Sequence, residues 1–137
     1  MKRANPEAAL QRAVAQYLTL VLDKSVVWSA IGHGGGGKVR GAQLKAMGVK
    51  AGMPDIYITY DAPQSSTALS FIPTYETEPK TLWIELKSEK GRPSKEQISF
   101  ATRVRQLGHY CYLCRSLDEV IKTLKDCDVP TKARKVA

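Results

Sequence analysis

The sequence lacks any apolar run long enough to cross a membrane, and it has few cysteines. Its first residues, 1–6, also lack the apolar core of a signal peptide. Three cysteines, an odd number, argue against a disulfide framework. Cys111 and Cys114 form a C-x-x-C, but no second pair is present to complete a zinc site. These absences predict a cytoplasmic protein whose cysteines are core thiols.

Acidic residues are also scarce relative to basic ones. Lysine and arginine number 21 against 13 aspartate and glutamate, which leaves a net charge of +8 on 137 residues. This length suits one domain with its own core, and the excess charge suggests a polyanionic partner such as nucleic acid. Charge alone fits a ribosome-associated or membrane-surface protein equally well. No helix-turn-helix or zinc-finger pattern occurs, so any DNA recognition is expected to depend on shape rather than sequence.

A complete nucleotide-binding loop is missing as well. Residues 32–38 fit G-x-x-x-x-G-K between a predicted strand and a predicted helix, but Val39 stands where a Ser or Thr would bind Mg²⁺. The sequence therefore predicts no nucleotide cofactor. A nucleotide hydrolase remains an alternative, and it would bind ATP through Gly37 and Lys38. A glycine-rich loop tipped by Lys38 and Arg40 suits a DNA backbone better.

The order of predicted elements is helix, strand, helix, two strands, helix, strand, helix. This order predicts an α/β fold in which a mixed β-sheet is flanked by helices on both faces. We predict a single domain over residues 1–127, with an insertion over 61–80 marked by prolines and serines. Residues 128–137 are predicted to form a flexible basic tail.

Two carboxylates stand at the ends of neighbouring predicted strands. Asp55 follows Pro54 and opens one strand, while Glu85 and Lys87 share one face at the end of the strand 81–87. Charged groups at the end of an apolar strand are costly unless they are paired or bind a metal. Glu85 and Lys87 by themselves are also typical of an ion pair on an exposed edge strand. With Asp55, however, the set suits Mg²⁺ or Mn²⁺.

These residues resemble the VRR-NUC (virus-type replication and repair nuclease) family of the PD-(D/E)xK nuclease superfamily. The resemblance covers roughly residues 6–125 and depends on five features in order. They are Glu7, the glycines from Gly34 to Gly37, Gly52-x-Pro54-Asp55, Glu85-x-Lys87 and Gln97. The resemblance implies a restriction-endonuclease-like core and metal-dependent hydrolysis of phosphodiester bonds.

The resemblance also implies roles for individual residues. Asp55, Glu85 and the Leu86 carbonyl are expected to hold Mg²⁺ or Mn²⁺, with Lys87 beside the attacking water as base or as a cation for the transition state. Glu7 is expected to reach the metal through water or to orient another ligand, although a carboxylate in a first helical turn is also favoured by the helix dipole. Gln97 is expected at the active site, although Ser94 to Gln97 also reads as a capping box. The candidates for DNA backbone contacts are Lys38, Arg40, Lys45, Lys50, Lys90, Arg92 and Lys95.

Small members of this family resemble Holliday-junction resolvases. The resemblance therefore implies a structure-specific endonuclease that acts on branched DNA as a homodimer, in a bacterial or phage-infected cell, with no membrane partner. Two alternatives remain. A flap-type nuclease of the same fold would use the same residues on a different DNA structure. A DNA-binding module without catalysis would tolerate replacement of Asp55 or Glu85.

Overall fold

The computed structural model describes residues 5–32, 37–63 and 76–132, with the side chains of 37 and 38 left out. The elements follow the predicted order. They are α1 (Pro6–Val21), β1 (Val27–Ala30), α2 (Gly37–Ala46), β2 (Ile56–Pro63), β3 (Thr77–Leu86), α3 (Lys95–Gln106), β4 (Tyr110–Cys114) and α4 (Leu117–Asp126).

Side chains cap helices α1, α3 and α4 at the positions that the sequence indicates. Asn5 accepts hydrogen bonds from two backbone amides of α1, Ser94 caps α3 and Ser116 caps α4. Gly48, just after α2, has a φ of +94°, as expected of a glycine that ends a helix. Local chemistry therefore sets most of the element boundaries.

The four strands form one mixed sheet in the order β1-β2-β3-β4. The first two pairs are antiparallel and the pair of β3 with β4 is parallel. Ile56 at the start of β2 lies opposite Ile84, beside the last residues of β3. The sheet register thus brings the residue before β2 next to the end of β3.

The core lies between one face of the sheet and the helices α1 and α4. Leu82, Ile84 and Leu86 alternate with more polar residues along β3, and their side chains are buried in this core. Helix α3 covers the opposite face, where the ring of Phe100 contacts Trp83 edge-on at 5.2 Å between centroids. The predicted arrangement, helices on both faces of a mixed sheet, is confirmed.

Strand pairing continues into the predicted insertion at both ends. Residues 61–63 extend β2 and residues 77–80 extend β3, with Pro63 opposite Thr77. Pro63 and Pro79 are exposed, and Ala62 remains buried. Strand pairing therefore persists where the sequence predicts turns. The rest of the predicted insertion, 64–75, lies outside the described residues.

The packed part of the chain extends past residue 127, where the predicted tail begins. Val129 is fully buried, the Pro130 carbonyl accepts a hydrogen bond from the backbone of Asp23, and Thr131 forms a bridge with Leu22. An apolar side chain and two backbone contacts thus anchor residues 128–132. Residues 133–137 lie outside the described part of the chain.

Candidate metal and catalytic site

Asp55 and Glu85 meet where β2 begins and β3 ends. The backbone amide of Asp55 donates to the Ile84 carbonyl at 3.0 Å, and its carbonyl accepts from Ile31 at 2.8 Å. Its Oδ2 accepts a hydrogen bond from the Leu86 amide at 2.7 Å. Backbone bonds to two neighbouring strands therefore place the Asp55 carboxylate beside Glu85.

Glu85 is a buried carboxylate, 8% exposed. Its Oε1 accepts a hydrogen bond from Gln97 Nε2 at 2.7 Å, and the Lys87 ammonium lies 3.7 Å from the same oxygen. Its Oε2 is buried and has no hydrogen-bond partner among the described residues. One oxygen is thus held by protein groups, and the other is left for a different partner.

Burial is the main reason that the pKa of Glu85 rises from its ordinary 4.5 to about 7, and the negative charge of Asp55 raises it further. Lys87 opposes both effects, while the charge of Glu7 adds to the rise. Two neighbouring carboxylates with one amine beside Glu85 hold more negative charge than the site neutralises. A divalent cation would remove that excess.

The residues present fit a hard divalent cation. Carboxylate and carbonyl oxygens are the ligands that Mg²⁺ and Mn²⁺ prefer, and both metals commonly keep several waters. Asp55 and Glu85, with the Leu86 carbonyl between Glu85 and Lys87 in the chain, supply that kind of ligand. Within the described ranges, no three His, Cys, Asp or Glu side chains gather closely enough to form a metal cluster by themselves. Waters or substrate oxygens would have to supply the remaining ligands.

Glu7 approaches this site from α1 without joining the two carboxylates. Its Oε1 accepts from the Ser88 amide at 3.4 Å, just past Lys87. A side-chain carbon added to Gly91 would lie 3.2 Å from this oxygen, so the loop after β3 passes close to it. Glu7 therefore contacts the loop after Lys87, and its predicted role towards the metal stays a prediction.

Gln97 completes the predicted capping box and also contacts the buried carboxylate, while its predicted role at the active site stays a prediction. Its Oε1 accepts from the Ser94 amide at 2.8 Å and its own amide donates to Ser94 Oγ at 3.1 Å, which completes the capping box. Its side-chain Nε2 reaches Glu85 at the same time. The first turn of α3 therefore ends in a donor that orients the buried carboxylate.

The glycine of the Gly52-x-Pro54-Asp55 turn is required by the contact with α3. Gly52 has a φ of +85°, and a side-chain carbon there would lie 2.5 Å from the backbone carbonyl of Glu96. The backbone of this turn thus packs directly on the first turn of α3. That contact holds Asp55 and Gln97 in one rigid unit.

Sequence reasoning missed Arg115, which follows β4. Its Nη1 donates to the carbonyls of Ser88, Glu89 and Gly91 at 2.7, 3.2 and 2.6 Å. One guanidinium therefore holds the loop that leaves Lys87 and contacts Glu7. No sequence motif marks this arginine. The signal that would place it there is the parallel pairing of β3 with β4, which a strand-helix-strand order favours.

The predicted DNA-contacting residues lie on several elements. Arg40, Lys45, Lys50, Lys90, Arg92 and Lys95 are exposed on α2, on the turns and at the start of α3. The side chain of Lys38 and the glycine-rich residues 33–36 lie outside the described part of the chain.

Cys111 and Cys114 are free and buried, so the prediction of core thiols is confirmed. No helix in the described ranges has both the length and the apolar character to cross a bilayer.

Comparison with known proteins finds likeness in structure rather than in sequence. No protein-family profile matches the chain, and no curated protein sequence matches it. A solved structure described as "VRR_NUC domain protein" superposes with a TM-score of 0.62 and 18% identity, over 94% of this chain and 93% of that one. A second, "VRR_NUC domain", gives 0.50 and 16%, over 89% and 97%. This chain therefore has the fold of VRR_NUC domains, as the resemblance predicted.

Proposed function

We propose that this protein is a metal-dependent, structure-specific DNA endonuclease that hydrolyses phosphodiester bonds. The observation that carries the proposal is the pairing of Asp55 with a buried Glu85, whose Oε2 has no partner among the described residues, beside the amine of Lys87. The fold shared with VRR_NUC domains supports it. The net charge of +8 supports a polyanionic substrate.

Each residue of the site has a role in this reaction. Asp55, Glu85 and the Leu86 carbonyl hold Mg²⁺ or Mn²⁺, which supplies Lewis-acid stabilisation of the charge that develops on the phosphate. The ammonium group of Lys87 places a positive charge and a transferable proton next to the attacking water. Gln97 fixes the orientation of Glu85, since its amide donates to Oε1 at 2.7 Å. Glu7 holds the loop after Lys87 through the Ser88 amide.

The substrate we propose is branched DNA, with a Holliday junction cut by a homodimer as the first candidate. A junction has two-fold symmetry, and a dimer of one small domain would place two equal sites on it. Surface cations on several elements suit contacts with the DNA backbone rather than with base edges.

The test uses labelled four-way junction, flap and linear duplex DNA with Mg²⁺, Mn²⁺ or EDTA. Wild type is compared with Glu85→Ala and Lys87→Ala. The control is Lys122→Ala, because Lys122 pairs with Asp126 on α4, which packs on the sheet face opposite α3. We expect paired symmetric nicks on the junction that need metal, Glu85 and Lys87 but not Lys122. Metal-dependent cutting of flaps alone would remove the junction from the proposal. Tight binding without cutting in any condition would favour a DNA-binding module instead.

A further inference from the structure

A concave surface lies along α3, next to the turn that leads to Asp55. Its walls are residues 50–51 and one side of α3, and its volume is about 690 Å³; we call it the α3 groove. Its charged lining residues are Lys50, Lys95 and Arg103, with Glu96 as the carboxylate among them. An excess of positive charge in a groove attracts a polyanion and concentrates it there.

The α3 side of the groove presents its polar groups in a regular row. Lys95, Ser99 and Arg103 are four residues apart, so they lie on one face of the helix. Each step of four residues advances about 6 Å along the helix axis. The two cations are therefore separated by roughly 12 Å, with a hydroxyl between them. A row of this kind suits an extended chain of phosphates running along the helix.

The floor of the groove is apolar and partly aromatic. Ala51, Phe100, Val104 and Leu107 line it, and Leu107 is 78% exposed. Sites for single-stranded nucleic acid combine cations that follow the backbone with apolar and aromatic surface that the bases cover. Paired bases in a duplex hide their faces in the stack, so a duplex would leave this floor uncovered. The combination therefore favours an unpaired strand.

The groove is joined to the candidate catalytic site through the backbone. Gly52 packs on the carbonyl of Glu96 and the amide of Gln97, so the turn that forms one wall of the groove also leads to Asp55. Gln97 in turn donates to Glu85. The groove therefore lies next to the turn that carries Asp55.

We propose that the α3 groove binds an unpaired nucleic-acid strand next to the phosphate that is cut. The inference rests on the proposed function for the chemistry at Asp55 and Glu85, but binding in the groove does not require cleavage. It bears on the choice of substrate, because a flap exposes unpaired nucleotides at its branch point and a fully paired Holliday junction does not, so binding in the groove would favour the flap-type alternative.

The test measures binding in EDTA, where no metal-dependent cutting occurs. Fluorescence anisotropy follows a labelled thymidine oligonucleotide and a duplex of equal length over a series of salt concentrations. Lys50→Ala and Arg103→Ala remove groove cations, and Leu107→Ala removes apolar floor. Lys125→Ala, on α4 across the sheet, is the matched control because it removes an exposed charge of the same sign outside the groove.

We expect the oligonucleotide to bind more tightly than the duplex. Each cation variant should weaken that binding several-fold and reduce the slope of log K against log salt by about 0.7. Leu107→Ala should weaken it without changing the slope, and Lys125→Ala should change neither. Equal or tighter binding of duplex, or equal losses in Lys125→Ala and the groove variants, would overturn the inference.

The two proposals fail separately. Selective binding of the oligonucleotide without cleavage of any DNA would keep the groove and refute the nuclease. Metal-dependent cleavage that the groove variants leave unchanged, with no preference for unpaired DNA, would keep the nuclease and refute the groove.

Discussion

The carboxylate of Glu85 is subject to two opposing electrostatic requirements. Its carboxylate is buried against Asp55, which makes the charged form unfavourable, yet the proposed reaction needs that form to bind a cation. Lys87 and Gln97 reduce the cost at Oε1, and Oε2 is left without a partner among the described residues. The folded chain therefore carries an energetic cost that metal binding would relieve.

This cost predicts a pH dependence of stability. The pKa of Glu85 rises to about 7 from 4.5, so the folded chain binds this proton more tightly than the unfolded chain does. In EDTA, the contribution of Glu85 to the free energy of unfolding should thus be greatest below about pH 4.5 and should fall as the pH rises towards about 7. Urea unfolding at several pH values measures it.

Glu85→Gln is the matched variant, since it keeps the shape and cannot ionise. We expect this variant to lose the fall in stability between those pH values and to be more stable than wild type at neutral pH without metal. Mg²⁺ should raise the melting temperature of wild type more at about pH 8 than at about pH 5, because it binds the ionised carboxylate. An unchanged pH profile in Glu85→Gln would show that another group is responsible.

The two roles of Gln97 can be separated by substitution. Ser94→Ala removes one capping bond and should cost about 1 kcal/mol of stability while leaving cleavage intact. Gln97→Glu keeps a residue that can complete the capping box, but it replaces the donor to Glu85 with a further negative charge. We expect it to reduce cleavage at least about tenfold. Equal cleavage by the two variants would mean that Gln97 is only a cap.

At the scale of elements, the site depends on how the Gly52 turn packs on α3. Gly52→Ala would force a side-chain carbon to within 2.5 Å of the Glu96 backbone, whereas Gly48, with a similar positive φ, faces open space. Gly48→Ala should therefore cost only about 1 kcal/mol of backbone strain, while Gly52→Ala should cost more than about 2 kcal/mol. Chemical denaturation compares them.

Cleavage assays on the same pair give the functional readout. Gly52→Ala should reduce cleavage because it moves Asp55 relative to Gln97, and Gly48→Ala should preserve it. Similar losses of stability and of cleavage in both variants would mean that the contact with α3 does not position the site.

The loop after β3 depends on Arg115. Arg115→Ala removes the donor shared by three carbonyls, so the positions of Lys87 and Glu7 should loosen and cleavage should fall about tenfold or more. Added guanidinium should restore part of the rate. The control is Arg105→Ala, because the Arg105 guanidinium donates to the Cys111 carbonyl instead. Added guanidinium should not change the activity of this variant. Failure of guanidinium to rescue Arg115→Ala would argue against a positioning role.

For the whole molecule, the proposed action on a Holliday junction predicts two chains on each junction. Titration of the Glu85→Gln variant against labelled four-way DNA should saturate at two chains per junction. Mixed assemblies of wild type and variant should nick one strand of a junction, because one of the two sites is inactive. Saturation at one chain per junction, with cleavage proportional to the wild-type fraction, would contradict the homodimer.

Features that depend on neighbours along the chain could be predicted from residue order. Caps at Asn5, Ser94 and Ser116 begin three helices, and the alternation in β3 separates Leu82 and Ile84 from the face of Glu85. These are short-range effects of hydrogen bonding and of side-chain direction, so residue order is enough to predict them. The element order and the fold followed from them.

Features that depend on contacts between distant segments could not be predicted in this way and are visible only in the folded chain. The burial that raises the pKa of Glu85, the guanidinium of Arg115 on the loop after Lys87, and the packing of Gly52 on α3 each join residues far apart in the chain. Strands β2 and β3 pair past residue 60, although prolines there predict a loop. Val129 is buried, although nearby charges predict a tail. Local pattern carries no information about such contacts, because their energies arise only once the sheet and helices have packed.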